Sequence, residues 1–451
     1  MPFIYSTLSH PLRVPLAAEI HSRPSLNIDA PESISYFAVY GDNGIAPGPS
    51  NAVTQNAILA AFCAHFGVAA PVLEAKYFHH DFGRFRLKWE CHTEFATYTF
   101  AQHHERQLSI PEAFEHVPLL HIPQQWLMSL QGKIMVAAHI VVDQTSGSTE
   151  SFAQELQDVF EGSTLVGSRV VQGGELWTDF LMQADGFSRF VVRDAGLRGR
   201  QAGRLVQRVL EIETYRMMAL LGLPHAQQAA PILNSIESEL VTLTATMVET
   251  DDASLGRLNE PDADEEQKLL DHITRLAARA EKLSLDNSYR FAASQAYFRL
   301  VHARIEELRE ERMEGIPTVE EFMDRRLTPA MRTCEAMANR QEALAQRIAN
   351  TNDLLRTRVG VAQERQNRKI LQSMNARAGH QLRLQQAVEG LSVVAISYYL
   401  IGLFSYLGKA AEAMGWVKNS GIGVGLLIPV VAAGVWIGLR QVHKKIRIRP
   451  E

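Results

Sequence analysis

Eleven of the sixteen histidines fall between His10 and His139. They include the doublets His79-His80 and His103-His104, with Asp81 and Glu105 beside them. Neutral imidazoles are frequent ligands for zinc and related metals. The spacing matches no metal motif such as H-E-x-x-H, so surface or sheet-edge positions are expected and no ligand set is assigned. A second polar cluster lies near the N-terminus: His10, Arg13, Glu19, His21 and Arg23. Its arginines could hold an anion. Glu19 and His21, two apart in an extended segment, would share a face and could do acid–base work. An N-terminal arm docked on helices is the favoured reading. No P-loop, dinucleotide-binding or nucleophile-elbow motif is present. No catalytic residue, no cofactor and no enzyme activity are therefore expected.

The 451 residues allow two or three domains. A formal net charge of −5 gives no reason to expect a nucleic-acid partner. Cys63, Cys91 and Cys334 are too few and too scattered for a disulfide framework, which fits a reducing compartment. The N-terminus has no basic start followed by an apolar run, so no secretory signal is expected.

The elements that must position these residues change character near residue 197. Residues 1–196 read as a mixed α/β domain of one sheet with helices against it, the α+β part of the chain. Strand-like runs recur at Ser35–Tyr40, Lys133–Val142, Thr164–Val171, Leu176–Met182 and Phe187–Val192. Arg84–Glu90 and His92–Phe100 read as a hairpin, the former alternating polar and apolar. Helices are expected at Asn51–Phe66 and at Ser151–Phe160, with Ser151 as cap. Residues 197–390 read as helical. Arg198–Leu221 should end at Gly222 and Pro224. Helices follow at Ala226–Val248, Asp264–Leu283 and Tyr289–Met313. Thr318 and Glu321 are spaced as a capping box. Residues 330–390 then form one long stalk. The acidic stretch Glu249–Glu266 is expected to be exposed.

Two uncharged runs of 18 residues follow, Leu391–Gly408 and Ile422–Leu439. Each is close to the roughly 20 residues a helix needs to cross a bilayer. Residues 391–439 thus read as a membrane hairpin and 440–451 as a basic tail. Arg440, Lys444, Lys445, Arg447 and Arg449 place the C-terminus in the cytoplasm, and two spans return the N-terminal bulk to that side. Gly421 and Gly425 make a small-xxx-small pair that permits close helix approach. The spans hold no ionisable side chain, so no proton relay through them is expected.

This order of parts resembles the CorA-type divalent-cation channel superfamily, most strongly from Asn352 to Arg449. Gln366-Asn367-Arg368-Lys369-Ile370-Leu371 and Leu391-Ser392-Val393-Val394-Ala395-Ile396 look like that group's passage from stalk to span. The resemblance implies a homo-oligomer, a divalent cation as cargo and a pore along the first span, near Tyr399, Tyr406 and Gly408. The Gly-Met-Asn triplet of that superfamily is absent; Tyr406-Leu407-Gly408-Lys409 stands there. His10-Pro11-Leu12-Arg13, with Glu19, His21, Arg23 and Pro24, also resembles the opening of an uncharacterised family of bacterial membrane-anchored proteins. That resemblance implies the bacterial inner membrane, both termini cytoplasmic, with the lipid bilayer as partner. The alternative to transport is a membrane-anchored binding or scaffold protein.

Overall fold

The computed structural model describes residues 9–14, 16–17, 24–41, 49–73, 75–130, 133–157, 159–160, 165–198, 200–256, 263–415 and 420–446. In chain order the elements are β1 (Glu32–Tyr40), α1 (Pro49–His65), β2 (Tyr77–Asp81), β3 (Arg86–Cys91), β4 (Phe95–His103), α2 (Ile110–Glu115), α3 (Gln124–Ser129), β5 (Ile134–Asp143), α4 (Thr149–Leu156), β6 (Val166–Val170), β7 (Gly174–Met182), β8 (Ser188–Asp194), α5 (Gln201–Leu220), α6 (Gly222–Gly256), α7 (Ala263–Leu308), β9 (Glu311–Arg312), α8 (Val319–Arg326), α9 (Thr328–Ala413) and α10 (Ser420–Ile446). The chain divides into two compact units. The first holds residues 1–249 and 272–351, and the second holds 250–271 and 352–451. The change of character at residue 197 is a change of element type inside the first unit.

The first unit is built on one sheet, ordered β2-β3-β4-β1-β5-β8-β7-β6-β9. β5 and β8 pair in parallel, and the other neighbours are antiparallel. β1 is central and rich in aromatic and β-branched residues, which fit a pleated surface packed on both faces. Its alternate residues face opposite ways. Ile34, Tyr36 and Ala38 join a core with Leu205, Val209 and Ile212 of α5. Phe37 and Val39 join an aromatic core with Leu59 and Phe62 of α1 and Trp126 of α3. Under the other half of that second face, Val141, Trp177 and Val191 pack with Phe152 and Leu156 of α4.

The predicted strands and the β3–β4 hairpin are present, as is the capping box of Thr318 and Glu321. Several details differ. Asp264–Leu283 and Tyr289–Met313 are one helix, α7, ending at Leu308. The gap left between Leu283 and Tyr289 by the sequence-based reading is helical in the structure. Instead Asn287 is buried, donates to the Leu283 carbonyl at 2.9 Å and meets His225 Nδ1 at 3.1 Å. Its polar atoms are satisfied within the helix and its neighbour, so no break follows. Gly222 is not a left-handed cap, because it opens α6 directly after α5. Its hydrogen makes room for α7 and α9: a Cβ there would lie 2.7 Å from Ser294 Oγ and 3.3 Å from Cys334 Sγ. Ser148, not Ser151, caps α4, accepting from the Ser151 amide. β2, carrying His79 and His80, went unread as a strand. The three cysteines are buried thiols, none of them in a disulfide among the described residues.

His139 sits on β5 opposite Ser35, whose Oγ lies 3.1 Å from its Nδ1, and its ring stacks on Phe187 at 4.0 Å. Burial pushes its imidazole from 6.5 down to about 4; nearby Asp185 and a backbone hydrogen bond with Ile34 raise it, and Arg189 lowers it. Between those values the unfolded chain carries the proton that the folded chain refuses. Stability therefore falls as pH drops from about 6.5 to about 4, by about 3 kcal/mol. His139→Gln should remove that component, measured as a shallower fall of denaturation midpoint with pH than in the wild type.

In the second unit α9 continues unbroken through Leu391–Gly408. Within this unit Glu266 is buried and lies 3.6 Å from Arg358, so the acidic stretch is not exposed throughout. Arg358 of the stalk supplies the positive charge beside this buried carboxylate. Among the described residues, two helices are long and apolar enough to cross a membrane by length and composition: α9, whose most apolar 18 residues have a mean hydropathy of 1.7, and Gly421–Leu439 of α10, at 2.3. The rest of the chain buries only 6% and 0% of those windows, unlike the core helix of a soluble domain.

Candidate functional site

β3 alternates: Leu87 and Trp89 enter the aromatic core, and Lys88 and Glu90 face the other way. Registry then builds two rows across the sheet. Lys88 lies opposite Thr99, which lies opposite Tyr36. Glu90 lies opposite Thr97, which lies opposite Ala38. Over this polar corner runs α5. Gly203, Val206, Gln207, Leu210, Glu211 and Thr214 recur at three- and four-residue steps, the spacing of one helix face. Between floor and roof lies a cavity of about 250 Å³, closed at its sides by residues that include Leu26, His92, Phe95 and Arg304.

The polar side chains here are buried. Lys88 is 4% exposed and Glu90 8%. The Lys88 ammonium lies 3.1 Å from Glu90 Oε1 and 3.4 Å from Gln207 Oε1. Gln207 Nε2 donates to Glu211 at 2.8 Å. Arg304 donates to Glu211 and, at 2.7 Å, to Glu307, which also accepts from Arg208 at 2.8 Å. Charges thus alternate along one network from the floor over α5 to α7. On the floor, the Tyr36 hydroxyl meets Thr214 Oγ1 at 2.7 Å, and burial holds that phenol well above its ordinary pKa. Thr97 Oγ1 is buried and has no hydrogen-bond partner among the described residues. Buried hydroxyls are nearly always satisfied, so this one marks a place for another polar atom.

Gly203 fixes the edge of the cavity. A Cβ there would lie 1.9 Å from the Leu26 carbonyl oxygen, so the segment bearing Leu26 and Ile28 rests directly on the α5 backbone. Gly203→Ala should cost about 1–3 kcal/mol and loosen that segment. The check is faster hydrogen exchange at residues 24–29 with α5 otherwise protected.

One family model, described as a protein of unknown function (DUF3422), matches residues 8–446. The chain belongs to the DUF3422 family. No curated protein and no solved structure matches it. The match covers both units of this DUF3422 chain, the cavity residues and both apolar helices.

The residues singled out in the sequence lie elsewhere. His10 and Arg13 share a turn, Arg13 N donating to the His10 carbonyl at 2.9 Å, with both residues exposed. Arg13 Nη1 donates to Ser9 Oγ at 3.2 Å. Glu19, His21 and Arg23 lie outside the described residues. His79 is exposed on the edge strand β2, whereas His104 is buried, its Nε2 2.8 Å from Ser33 Oγ. Partial desolvation, with the Arg86 charge nearby, lowers the pKa of His79, and burial lowers that of His104. Among the described residues no group of three or more His, Cys, Asp or Glu side chains is placed to hold a metal. Tyr399 and Tyr406 are exposed on α9. Gly421 and Gly425 are exposed on α10, and a Cβ at Gly425 would meet nothing within 4 Å. The close helix approach this pair permits is therefore not made at Gly425 by the described residues. The signal that would have found the cavity is the polar face of β3: a strand covered on one face by Leu87 and Trp89 carries an acid–base pair on its other.

Proposed function

We propose that this DUF3422 protein is a membrane-anchored binding protein. Its α/β unit takes a small polar ligand in the cavity between β3, β4, β1 and α5. The apolar helices tether it as a homo-oligomer in the bacterial inner membrane, with both termini in the cytoplasm. The carrying observation is the buried polar floor, where Lys88 and Glu90 pair beside an unpartnered Thr97 hydroxyl. Apolar walls with a few convergent polar groups are the usual form of a ligand site. The two unburied apolar windows and the positive charge that follows the second support the tether.

The test is thermal unfolding of the full-length protein in detergent against a panel of small polar metabolites, in parallel with Val206→Trp, which fills the cavity. A ligand at a hundred times its Kd adds about 2.7 kcal/mol. At least one compound should raise the wild-type Tm by several degrees and leave the variant unmoved. If no compound separates the two proteins, the reading is wrong.

A second reading is a CorA-like divalent-cation transporter lined by the first span. It is favoured by the unbroken passage of α9 from the first unit into its apolar window. The missing Gly-Met-Asn triplet counts against it. Subunit counting in detergent separates the two: a pentamer supports transport and a monomer removes it. So does failure of cells expressing the protein to take up any divalent ion.

A further inference from the structure

We infer that the ligand of the Lys88–Glu90 cavity is a small zwitterion with an apolar body, an α-amino acid with a side chain such as leucine's or methionine's. This rests on the cavity being a ligand site, as proposed above.

The first ground is charge balance. Lys88, Arg304 and Arg208 are matched by Glu90, Glu211 and Glu307 in one connected network. A ligand with net charge would leave that charge uncompensated in a partly closed site, where it is costly. A zwitterion brings none.

The second ground is the order of open valences on the floor. An ammonium has three donors. Among the described residues Lys88 donates to Gln207 and stands in an ion pair with Glu90. Its remaining donor suits a ligand carboxylate, a charge-assisted bond about twice as strong as a neutral one. On the neighbouring row, Glu90 stands directly opposite Thr97, whose buried hydroxyl has no partner. A ligand ammonium against Glu90 can donate to Thr97 Oγ1 as well. Lys88 and Glu90 are two residues apart on one strand face. Their spacing suits the two charged groups carried on one α-carbon.

The third ground is the wall. Leu26, Phe95, Val206 and Leu210 line the same space and offer an apolar surface to a side chain. The volume of about 250 Å³ keeps the ligand to metabolite size.

The experiment is isothermal titration of the full-length protein in detergent with four probes. L-Leucine carries both charges. 4-Methylpentanoate lacks the amine, 3-methylbutylamine lacks the carboxylate, and glucose is a neutral polyol. Leucine should bind, and each single-charge analogue should bind about tenfold or more weakly. Lys88→Met and Glu90→Gln should each abolish the leucine heat. Because either variant could disturb folding, the analogue series on the wild type decides the matter. If glucose or a single-charge analogue binds as well as leucine or better, the zwitterion is wrong and the cavity reading survives. If leucine gives no heat, the zwitterion is also wrong. The cavity reading then falls only if the metabolite panel with Val206→Trp fails too.

Discussion

Glu94→Ala is expected to lower the unfolding free energy by about 3–5 kcal/mol. Glu94 is 5% exposed and pairs with Arg290, itself 6% exposed, on α7. Tyr289 and Tyr297 lie close enough to feel the Glu94 carboxylate, and burial, with that carboxylate nearby, raises both phenols, Tyr289 to about 12. Alanine leaves the buried Arg290 guanidinium without its acceptor. The loss comes less from the pair itself than from the stranded charge. Glu94→Ala combined with Arg290→Met should therefore recover a substantial part of the stability lost by the single variant. Denaturant unfolding followed by fluorescence of the buried Trp89 and Trp177 measures both. A single-variant loss under about 1 kcal/mol would show that the pair is solvated. Glu94 precedes Phe95, whose ring meets Tyr297 at 6.3 Å, so this joint also seats one end of the cavity wall.

Phe62→Ala is the second large effect, also about 3–5 kcal/mol. Phe62 is fully buried on α1. Its ring lies 4.9 Å from Trp126, 5.5 Å from Phe82 and 5.6 Å from Phe100, in tilted or edge-on arrangements. Such geometry adds to the area term. The neighbours come from a strand, a turn and a short helix, so they cannot all collapse into the vacated space, and a cavity remains. The consequence reaches the cavity through the sheet. Leu87, Trp89, Tyr98 and Phe100 form this aromatic back, and Lys88, Glu90, Thr97 and Thr99 form the floor on the opposite face of the same two strands. Phe62→Ala should weaken ligand binding in proportion to its loss of stability. Phe62→Leu should cost less on both counts. Equal stability of Phe62→Ala and wild type would mean that α1 does not pack on this face.

The strands were legible because their apolar runs are short and bounded by turn residues, as at Lys133–Val142 and Phe187–Val192. The capping box was legible because its chemistry is local to Thr318 and Glu321. β2 was not, since Tyr77-Phe78-His79-His80-Asp81 has no clear alternation and takes its form from pairing with β3. The continuity of α7 was hidden because Asn287 is satisfied by His225, 62 residues away. The cavity was hidden for a related reason. The polar face of β3 reads as a solvent face until α5 is known to cover it. The histidine clusters drew attention by composition, yet in the described residues they are divided among an edge strand, a buried strand end and a stacked core position. A sequence shows which face is polar; long-range packing decides whether that face meets water.

The most direct test of a membrane-tethered binding protein is side-specific labelling of the full chain. The native cysteines are buried, so single cysteines placed by Thr7→Cys, Glu412→Cys and Glu451→Cys report cleanly. An impermeant maleimide applied to intact spheroplasts should label Glu412→Cys alone, and the protein should stay with carbonate-washed membranes. Recovery of the chain in the wash without detergent, or labelling of one terminus and not the other, would contradict the account.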